Sequence, residues 1–423
     1  MEIKEAKGKK KITYKDLFCE RNFMLDTLAS IISRFGDGID TIAFSLLVYH
    51  ITGSTLLVAT LYGINGIPNL VFGMISGVAC KYITDKKIMA ICDFGRFACV
   101  FLVASLFLTG NLAVWHLYVI TFLNSSFESF RGPASISIVP KIIPMEKMEY
   151  GMALSSSGCK LSELIGLAIA PLIIGTMGLG WAVVIDAVTF FICGLLILGL
   201  RIKDSTVSAK NITIRDTFND LKEGFLFVKS DKLILNIVIF AAVLNALVVP
   251  LNSLQAPYAE EVLGVGGTAL SIMSIGMLVG MMVTGIFAPK IKEKLKSRKM
   301  FISGGIIVGI SYAILSLLGM INSIELMYLA LAIDAFIFGS AVLFLNFPLQ
   351  IIMMKKIEQE YLPRVSAIFN AGALCAVPIA ACITGIVSQY IDIKNLFMIF
   401  GILMSVLFLF RISSKITKRY DEY

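Results

Sequence analysis

Residues 81–111 read KYITDKKIMAICDFGRFACVFLVASLFLTGN, which sets a basic loop, an apolar segment and an uncharged turn in a row. The same alternation runs along all 423 residues and gives twelve apolar segments. Of the 37 lysine and arginine residues, 32 lie in or beside the two tails and the even-numbered gaps, whereas the odd-numbered gaps contain only Lys394. Positive charge marks the cytoplasmic side of a bilayer. The pattern therefore predicts a multi-pass membrane protein with both termini in the cytoplasm.

The composition agrees with a lipid environment. The chain is 57% hydrophobic and 16% charged, whereas soluble domains carry about 25% charged residues. A net charge of +8 raises the alternative of nucleic-acid binding, but basic residues beside apolar segments fit lipid headgroups better. The eight cysteines show no metal-ligand or disulfide spacing, and no nucleotide-binding loop or catalytic triad is present. We therefore expect the bilayer as partner, and no nucleic acid, metal, cofactor or enzymatic activity.

A spanning helix needs about 20 apolar residues. The predicted spans are 25–49, 56–80, 88–109, 114–138, 152–177, 180–200, 233–257, 267–289, 300–320, 325–353, 365–389 and 395–412. They divide the chain into a cytoplasmic tail, a six-helix bundle, a central cytoplasmic loop, a second six-helix bundle and a second tail, at 1–24, 25–200, 201–232, 233–412 and 413–423. Apolar residues at near-helical spacing predict an amphipathic helix in the loop, with a solvated linker as the alternative.

The two halves show a weak internal repeat. Arg131-Gly132-Pro133 followed by Lys141 matches Asn346-Phe347-Pro348 followed by Lys356 at a constant offset of 215 residues. Parallel six-helix repeats are typical of transporters whose binding site lies between the halves. The predicted fold is therefore an all-α membrane protein with twelve transmembrane helices in two pseudo-symmetric six-helix bundles.

Charges inside the spans are the candidates for function, because a charge in a bilayer costs several kcal/mol. Span one contains Arg34, Asp37 and Asp40, whose spacing of three residues places them near one helical face. Gly36 and Gly38 permit close helix approach or local bending. We predict that Asp37 carries an exchangeable proton, with Arg131 of span four or Arg34 setting its charge state. The alternative is a structural ion pair.

Other intramembrane charges also occur three residues apart. Span four contains Glu128 and Arg131, and span five contains Lys160 and Glu163, for which coupling and structural pairing are both open readings. Asp334 in span ten is a lone acid and a further candidate for protonation. In span three, Asp93 and Arg96 favour a structural clamp at the cytoplasmic gate. Polar candidates for the cavity lining, for which interhelical bonding is the alternative, are Asn245, Asn252 and Gln255.

Several segments resemble the major facilitator superfamily, in particular its branch of macrolide-efflux and siderophore-export proteins. The segments are Gly36-Asp37 with Leu46-Leu47-Val48-Tyr49, Asp85-Lys86-Lys87-Ile88-Met89, Phe130-Arg131-Gly132-Pro133-Ala134, Ile185-Asp186-Ala187-Val188-Thr189-Phe190, Asn346-Phe347-Pro348-Leu349-Gln350 and Arg364-Val365-Ser366. In that family a glycine of the second loop precedes an Asp-Arg pair by four residues, but here Gly77 precedes Lys81-Tyr82. The resemblance makes Asp85 the candidate substitute and adds Arg364 to the gate and Asn346 to the cavity.

The resemblance implies a secondary transporter in a bacterial-type plasma membrane. The leading hypothesis is export of an amphipathic small molecule, such as a drug, macrolide or siderophore, driven by inward proton flow and carried out by a monomer. Span five departs from the family's antiporter motif, since Gly166-Leu167 stands where Gly-Pro is usual. Uptake or facilitated diffusion of a metabolite is therefore the first alternative, and a non-transporting membrane sensor is the second.

Overall fold

The computed structural model describes residues 17–202, 214–357, 362–412 and 415–422. Parts of three predicted segments lie outside these residues. They are most of the N-terminal tail, the first part of the central loop and the first two residues of the C-terminal tail. The side chain of the predicted gate residue Arg364 also lies outside the described part.

The described chain is built from helices, and it contains no β-strand in these ranges. The first half contains α1 (Arg21–Thr52), α2 (Thr55–Tyr82), α3 (Asp85–Leu108), α4 (Val114–Ile142), α5 (Met145–Met177) and α6 (Leu179–Leu198). The connecting helix is α7 (Ile214–Ser230). The second half contains α8 (Lys232–Pro257), α9 (Gly266–Lys294), α10 (Ser297–Leu318), α11 (Ile324–Lys356), α12 (Leu362–Val387) and α13 (Ile393–Ile412), and a short α14 (Lys415–Lys418) follows. A π-helical turn, Tyr258–Val262, extends α8.

The long helices have the dimensions of membrane spans. Ten helices of the described residues are long and apolar enough to cross a bilayer. The two other long helices contain several charged residues each, which lower their apolarity: Arg34, Asp37 and Asp40 in α1, and Glu128 and Arg131 in α4. The predicted all-α multi-pass membrane fold is thereby confirmed, and the count of about twelve spans follows from these ten and the two charged helices.

The two halves repeat the same packing. In the first half α1 packs on α5 and α6, α2 packs on α4, and α3 packs on α4 and α6. In the second half α8 packs on α12 and α13, α9 packs on α11, and α10 packs on α11 and α13. Each helix pair of the first half thus has a counterpart in the second half whose helix numbers are higher by seven, as α1 with α5 corresponds to α8 with α12. The two bundles are therefore pseudo-symmetric. The halves meet along α2 with α12 and along α5 with α9.

Glycine residues allow close helix crossings in both halves. A Cβ atom added to Gly38 of α1 would lie 2.6 Å from the Glu163 carbonyl oxygen, and one added to Gly166 of α5 would lie 2.3 Å from the Phe35 carbonyl oxygen. Gly309 and Gly401 contact each other in the same way between α10 and α13. Small residues at these crossings let the helix backbones touch, which stabilises helix pairs in lipid.

Polar contacts join the loops of the first half at one end of the bundle. The Asn22 side chain donates to the Arg201 carbonyl at 3.0 Å, and Lys147 pairs with Glu20 at 2.7 Å. Lys86 donates to the Leu200 carbonyl at 2.7 Å. These contacts gather the start of α1, the α2–α3 and α4–α5 loops and the end of α6. We call this the basic end, and the other end of the bundle the opposite end.

Asp231 fixes the start of α8 at the basic end. Its carboxylate accepts from the backbone N–H groups of Leu233 and Ile234 at 2.8 and 3.2 Å, and it pairs with Lys356 of α11 at 2.5 Å. Burial opposes the charged form, but the bonds from Lys356 and the two N–H groups outweigh it and lower the pKa of Asp231.

We expect Asp231→Asn to lower stability at neutral pH by about 1 kcal/mol, because asparagine still caps α8 but loses the charge that pairs with Lys356. Because the folded-state pKa is lowered, the stabilisation is present above the ordinary pKa of an aspartate and is lost as pH falls through the folded value. Thermal unfolding of the purified protein at a series of pH values measures this. Glu146→Gln, at an exposed acid in the first turn of α5, is the matched control. A constant gap between Asp231→Asn and the parent down to acidic pH would contradict the prediction.

Candidate functional site

A cavity of about 510 Å³ lies between the two halves. Helices α1, α2, α4, α5, α8 and α9 form its walls. The walls combine apolar, amide and acidic side chains, among them Phe44, Leu61, Met277, Met281, Asn65, Asn252, Gln255, Asp40 and Glu163. The described residues that line this cavity include no lysine, arginine or histidine. The cavity is therefore an amphipathic space, and the acidic side chains among these residues are Asp40 and Glu163.

Two of the four predicted lining amides line the cavity. Asn252 and Gln255 both do so, and Asn252 hydrogen-bonds Tyr62 of the other half. Asn245 and Asn346 instead donate to carbonyl oxygens of their own helices, Ala241 and Val342, each at 3.0 Å.

Asp37 lies between two arginines. Arg34 of the same helix donates to Asp37 Oδ2 at 3.1 Å, and Arg96 of α3 donates to Asp37 Oδ1 at 3.2 Å. The Arg34 side chain is 49% exposed, whereas the Arg96 side chain is 8% exposed. Arg96 is therefore the stronger partner, because its charge is shielded from water.

Arg96 is held in place from three directions. Its guanidinium lies 3.9 Å from the ring centroid of Phe190 on α6, which is within cation–π distance. Its Nε donates to Asn124 Oδ1 on α4 at 3.4 Å. With Asp37 on α1, the side chain connects four helices of the first half. Glu128 of α4 adds a further negative charge near it.

Asp93 and Arg131 form a second buried pair, between α3 and α4. Arg131 Nε and Nη2 donate to the two oxygens of Asp93 at 2.5 and 3.4 Å, and the Asp93 side chain is fully buried. The close spacings of Asp93 with Arg96 and of Glu128 with Arg131 do not produce pairs within a helix. Each of the two arginines pairs instead with an aspartate of a neighbouring helix.

The remaining predicted residues lie in separate places. Asp85, in the first turn of α3, accepts from Lys141 at 2.5 Å and from Ser137 at 3.0 Å, and so stands apart from Asp93 and Arg96. Lys160 and Glu163 pair within α5 at 2.8 Å.

Asp334 of α11 belongs to the other half of the protein. It is buried, and Ser311 of α10 donates to its Oδ2 at 2.8 Å. Asp334 is not among the residues that line the central cavity.

Sequence reasoning left Asp186 out of the site. It lies on α6, is fully buried, and has one carboxyl oxygen, Oδ2, without a hydrogen-bond partner. A Cβ atom on Gly36 of α1 would lie 2.4 Å from Asp186 Oδ1, so the acid is pressed against the helix that contains Asp37 and Asp40. The sequence signals were a single acid in an otherwise apolar span and its place in a segment that resembles the family. No charged residue lies three or four positions from Asp186 in the sequence, so spacing did not indicate a functional pair.

Contacts between the halves gather at the opposite end. Tyr49 of α1 donates to Glu261 after α8 at 2.5 Å, and Ser388 after α12 donates to Thr55 of α2 at 2.7 Å. Ser271 near the start of α9 donates to the Leu167 carbonyl of α5 at 2.6 Å. The cavity is therefore closed toward the opposite end in this conformation.

We expect Tyr49→Phe to weaken this closure. Loss of a hydrogen bond to a partly exposed carboxylate removes about 1 kcal/mol, which favours the open arrangement about fivefold. Spin labels at Asn111 and Asn322, in a background without native cysteines, report the distance between the halves at this end. The variant is expected to gain a longer-distance population, while Tyr390→Phe, at an exposed tyrosine, keeps the parental distribution. Identical distributions for Tyr49→Phe and parent would exclude a gating role for this bond.

The sequence profile described as the Major Facilitator Superfamily matches residues 27–372. The uncharacterized MFS-type transporter YvqJ of Bacillus subtilis (strain 168) is 24% identical over 380 residues, which are 88% of this chain and 86% of YvqJ. Macrolide efflux protein A of Streptococcus pyogenes is 22% identical over 358 residues, which are 84% of this chain and 86% of that protein.

Solved structures show the same fold. The crystal structure of the nucleoside transporter NupG superimposes with a TM-score of 0.78 at 14% sequence identity, and the match covers 93% of this chain and all of that one. The resemblance predicted from short motifs is thereby confirmed at the level of family and fold.

Proposed function

The chain belongs to the Major Facilitator Superfamily, and we propose that this transporter exports amphipathic small molecules from the cytoplasm in exchange for protons. The observation that carries the proposal is the cavity between the halves, with its apolar, amide and acidic walls. Its volume of about 510 Å³ lies within the range of small-molecule sites. Relatives of similar length include a protein named for macrolide efflux, which supports export over other uses of the fold.

The proposed orientation places the basic end in the cytoplasm. Lysine and arginine residues crowd the tails and loops at that end, as the positive-inside rule requires. Because the contacts between the halves lie at the opposite end, this conformation is then the one that loads from the cytoplasm. The unit that moves is a monomer whose halves, 25–200 and 233–412, rock against each other.

Proton coupling is proposed to act through the charges beside the cavity. Protonation of Asp37 would remove the negative charge that holds Arg96 and Arg34, and so would loosen α1 from α3. Asp40 and Glu163 face the cavity itself and would sense the arrival of a substrate. Arg131, locked to Asp93, is proposed to hold α3 and α4 together while α1 moves.

Accumulation of a radiolabelled macrolide in cells tests the proposal. Cells that overproduce the protein are expected to hold several-fold less macrolide than vector cells, and a protonophore is expected to abolish the difference. The same cells are then tested with a panel of lipophilic cations and neutral drugs, because the substrate class is broader than one compound.

The outcomes separate the competing functions. Higher accumulation in the overproducing cells would indicate an importer, and accumulation that ignores the protonophore would exclude proton coupling. No change with any compound of the panel would overturn export of amphipathic molecules and favour a non-transporting role.

A further inference from the structure

Asp186 is a buried acid to which the proposed mechanism gives no role. Its side chain is fully buried on α6, its Oδ1 contacts Thr189 Oγ1 at 3.4 Å, and its Oδ2 has no partner. Thr189 directs the same hydroxyl to the Asp186 backbone carbonyl at 2.7 Å, so its contact with the carboxyl group is the longer of its two bonds. Gly36 provides the space that the carboxyl group occupies against α1.

Charged groups from the neighbouring helices surround Asp186 unevenly. Asp186 packs on Gly36 of α1, and Asp40 lies one helical turn after that glycine. Asp37 of α1 and Arg96 of α3 also act on Asp186 through their charges. On α5, the third helix packed against α6, Glu163 lines the cavity and pairs with Lys160. Glu128 of α4 completes the set by acting on Asp40. Negative groups thus outnumber the cation that faces them.

The cation that faces these acids is already engaged. Arg96 donates to Asp37, while Asp40 Oδ1 and Asp186 Oδ2 both lack a hydrogen-bond partner. A buried carboxylate without a partner is unstable, and two nearby carboxylates cannot both stay ionised away from water. A proton on this pair removes the excess charge and supplies a hydrogen-bond donor.

Asp40 also connects the pair to the cavity. It lines the central cavity and a side pocket of about 60 Å³, whose polar walls include Asn65, Asn124 and Ser125. A pocket of that volume has room for about two water molecules. A proton can therefore reach Asp40 from the cavity and pass on to the α1–α6 contact.

We propose that Asp186 is a proton-binding residue of the transport cycle, which shares one proton with Asp40 across the α1–α6 contact at Gly36. Its role in transport rests on the proposed function, but its protonation does not. In the conformation described here the pair holds the proton and Asp37 keeps its bonds to Arg34 and Arg96. Movement of α1 away from α6 separates the two acids and releases the proton.

Infrared spectroscopy of the purified protein in lipid vesicles tests this directly. A protonated carboxyl group has a C=O stretching band that moves to lower frequency in D₂O. At neutral pH the parent is expected to show such a band that Asp186→Asn lacks. Asp40→Asn, which removes the second member of the pair, is expected to shift or remove the same band.

Two further variants make the assignment secure. Thr189→Val removes the hydroxyl beside Asp186 Oδ1 and is expected to shift the band. This variant provides a second test of the inference if Asp186→Asn does not fold. Asp334→Asn is the matched control, because Asp334 is a buried acid of the other half and its bond comes from Ser311. That control is expected to leave the Asp186 band unchanged.

The result is independent of any substrate. Two results together would overturn the inference. They are an Asp186→Asn spectrum that keeps every protonated-carboxyl band of the parent, and a Thr189→Val spectrum without any band shift. If export in the parent proves independent of protons while the band is lost in Asp186→Asn, the proton site stands and the proposed coupling fails. If export is proton-driven and the bands do not change, the inference fails alone.

Discussion

Replacing Asp37 by asparagine is expected to abolish proton-driven export while the protein still reaches the membrane at the parental level. Asparagine has the same shape but no charge, and it cannot release or bind a proton at neutral pH. The variant therefore leaves Arg96, which is almost fully buried, without the carboxylate that it contacts at 3.2 Å. The cavity walls stay as they are, because Asp37 is not among the lining residues.

Inverted membrane vesicles allow the two activities to be measured separately. A proton gradient is expected to drive macrolide uptake into parental vesicles, and Asp37→Asn vesicles are expected to fall to the vector level. Exchange of labelled for unlabelled macrolide without a gradient is expected to persist, since binding and rocking need no net proton movement. Asp392→Asn, at an exposed acid before α13, serves as the control. Gradient-driven uptake at the parental rate in Asp37→Asn would move the coupling role to Asp40, Glu163 or Asp334.

Replacing Arg131 by alanine is expected to produce the largest loss of stability. The change leaves Asp93, whose side chain is fully buried, without the guanidinium that donates to both of its oxygens. Breaking a buried ion pair by removing one partner typically costs about 3–5 kcal/mol. We expect a large fall in the thermal unfolding temperature of the purified protein and little protein in the membrane. Arg131→Lys keeps the charge but loses the planar fork, so it is expected to fold and to be impaired in transport.

A double variant distinguishes the loss of pairing from the loss of packing. Asp93→Leu together with Arg131→Met removes both charges and fills the space with apolar atoms, so it is expected to regain most of the stability. Lys160→Ala is the comparison for a weak pair, because its side chain is 49% exposed and pairs within one helix. A stable Arg131→Ala protein, or a double variant no better than the single one, would exclude the ion pair as the source of the effect.

The intramembrane charges mark the limit of what spacing along a chain can predict. Asp93 with Arg96, and Glu128 with Arg131, are three residues apart, a spacing that lets two side chains meet on one helix. The arginines bind Asp37 and Asp93 on neighbouring helices instead. An arginine side chain is long enough to reach either kind of partner, and its choice depends on which helices pack together. Asp186, whose Oδ2 has no partner, is the clearest example, because its carboxyl group packs against Gly36 of a distant segment.

The sequence by itself determined the membrane class, the all-helical fold and the family, because hydropathy and short motifs are properties of consecutive residues. The alternation of basic and uncharged loops also predicts an orientation without reference to any contact. Only the tertiary structure decided which charges meet, which end of the cavity is closed, and that Asn252 and Gln255, but not Asn245 or Asn346, line it. Those facts depend on the rotation and crossing of helices that lie far apart in the chain. In lipid, such crossings are set by the fit of small residues such as Gly38 and Gly166, which no local pattern specifies.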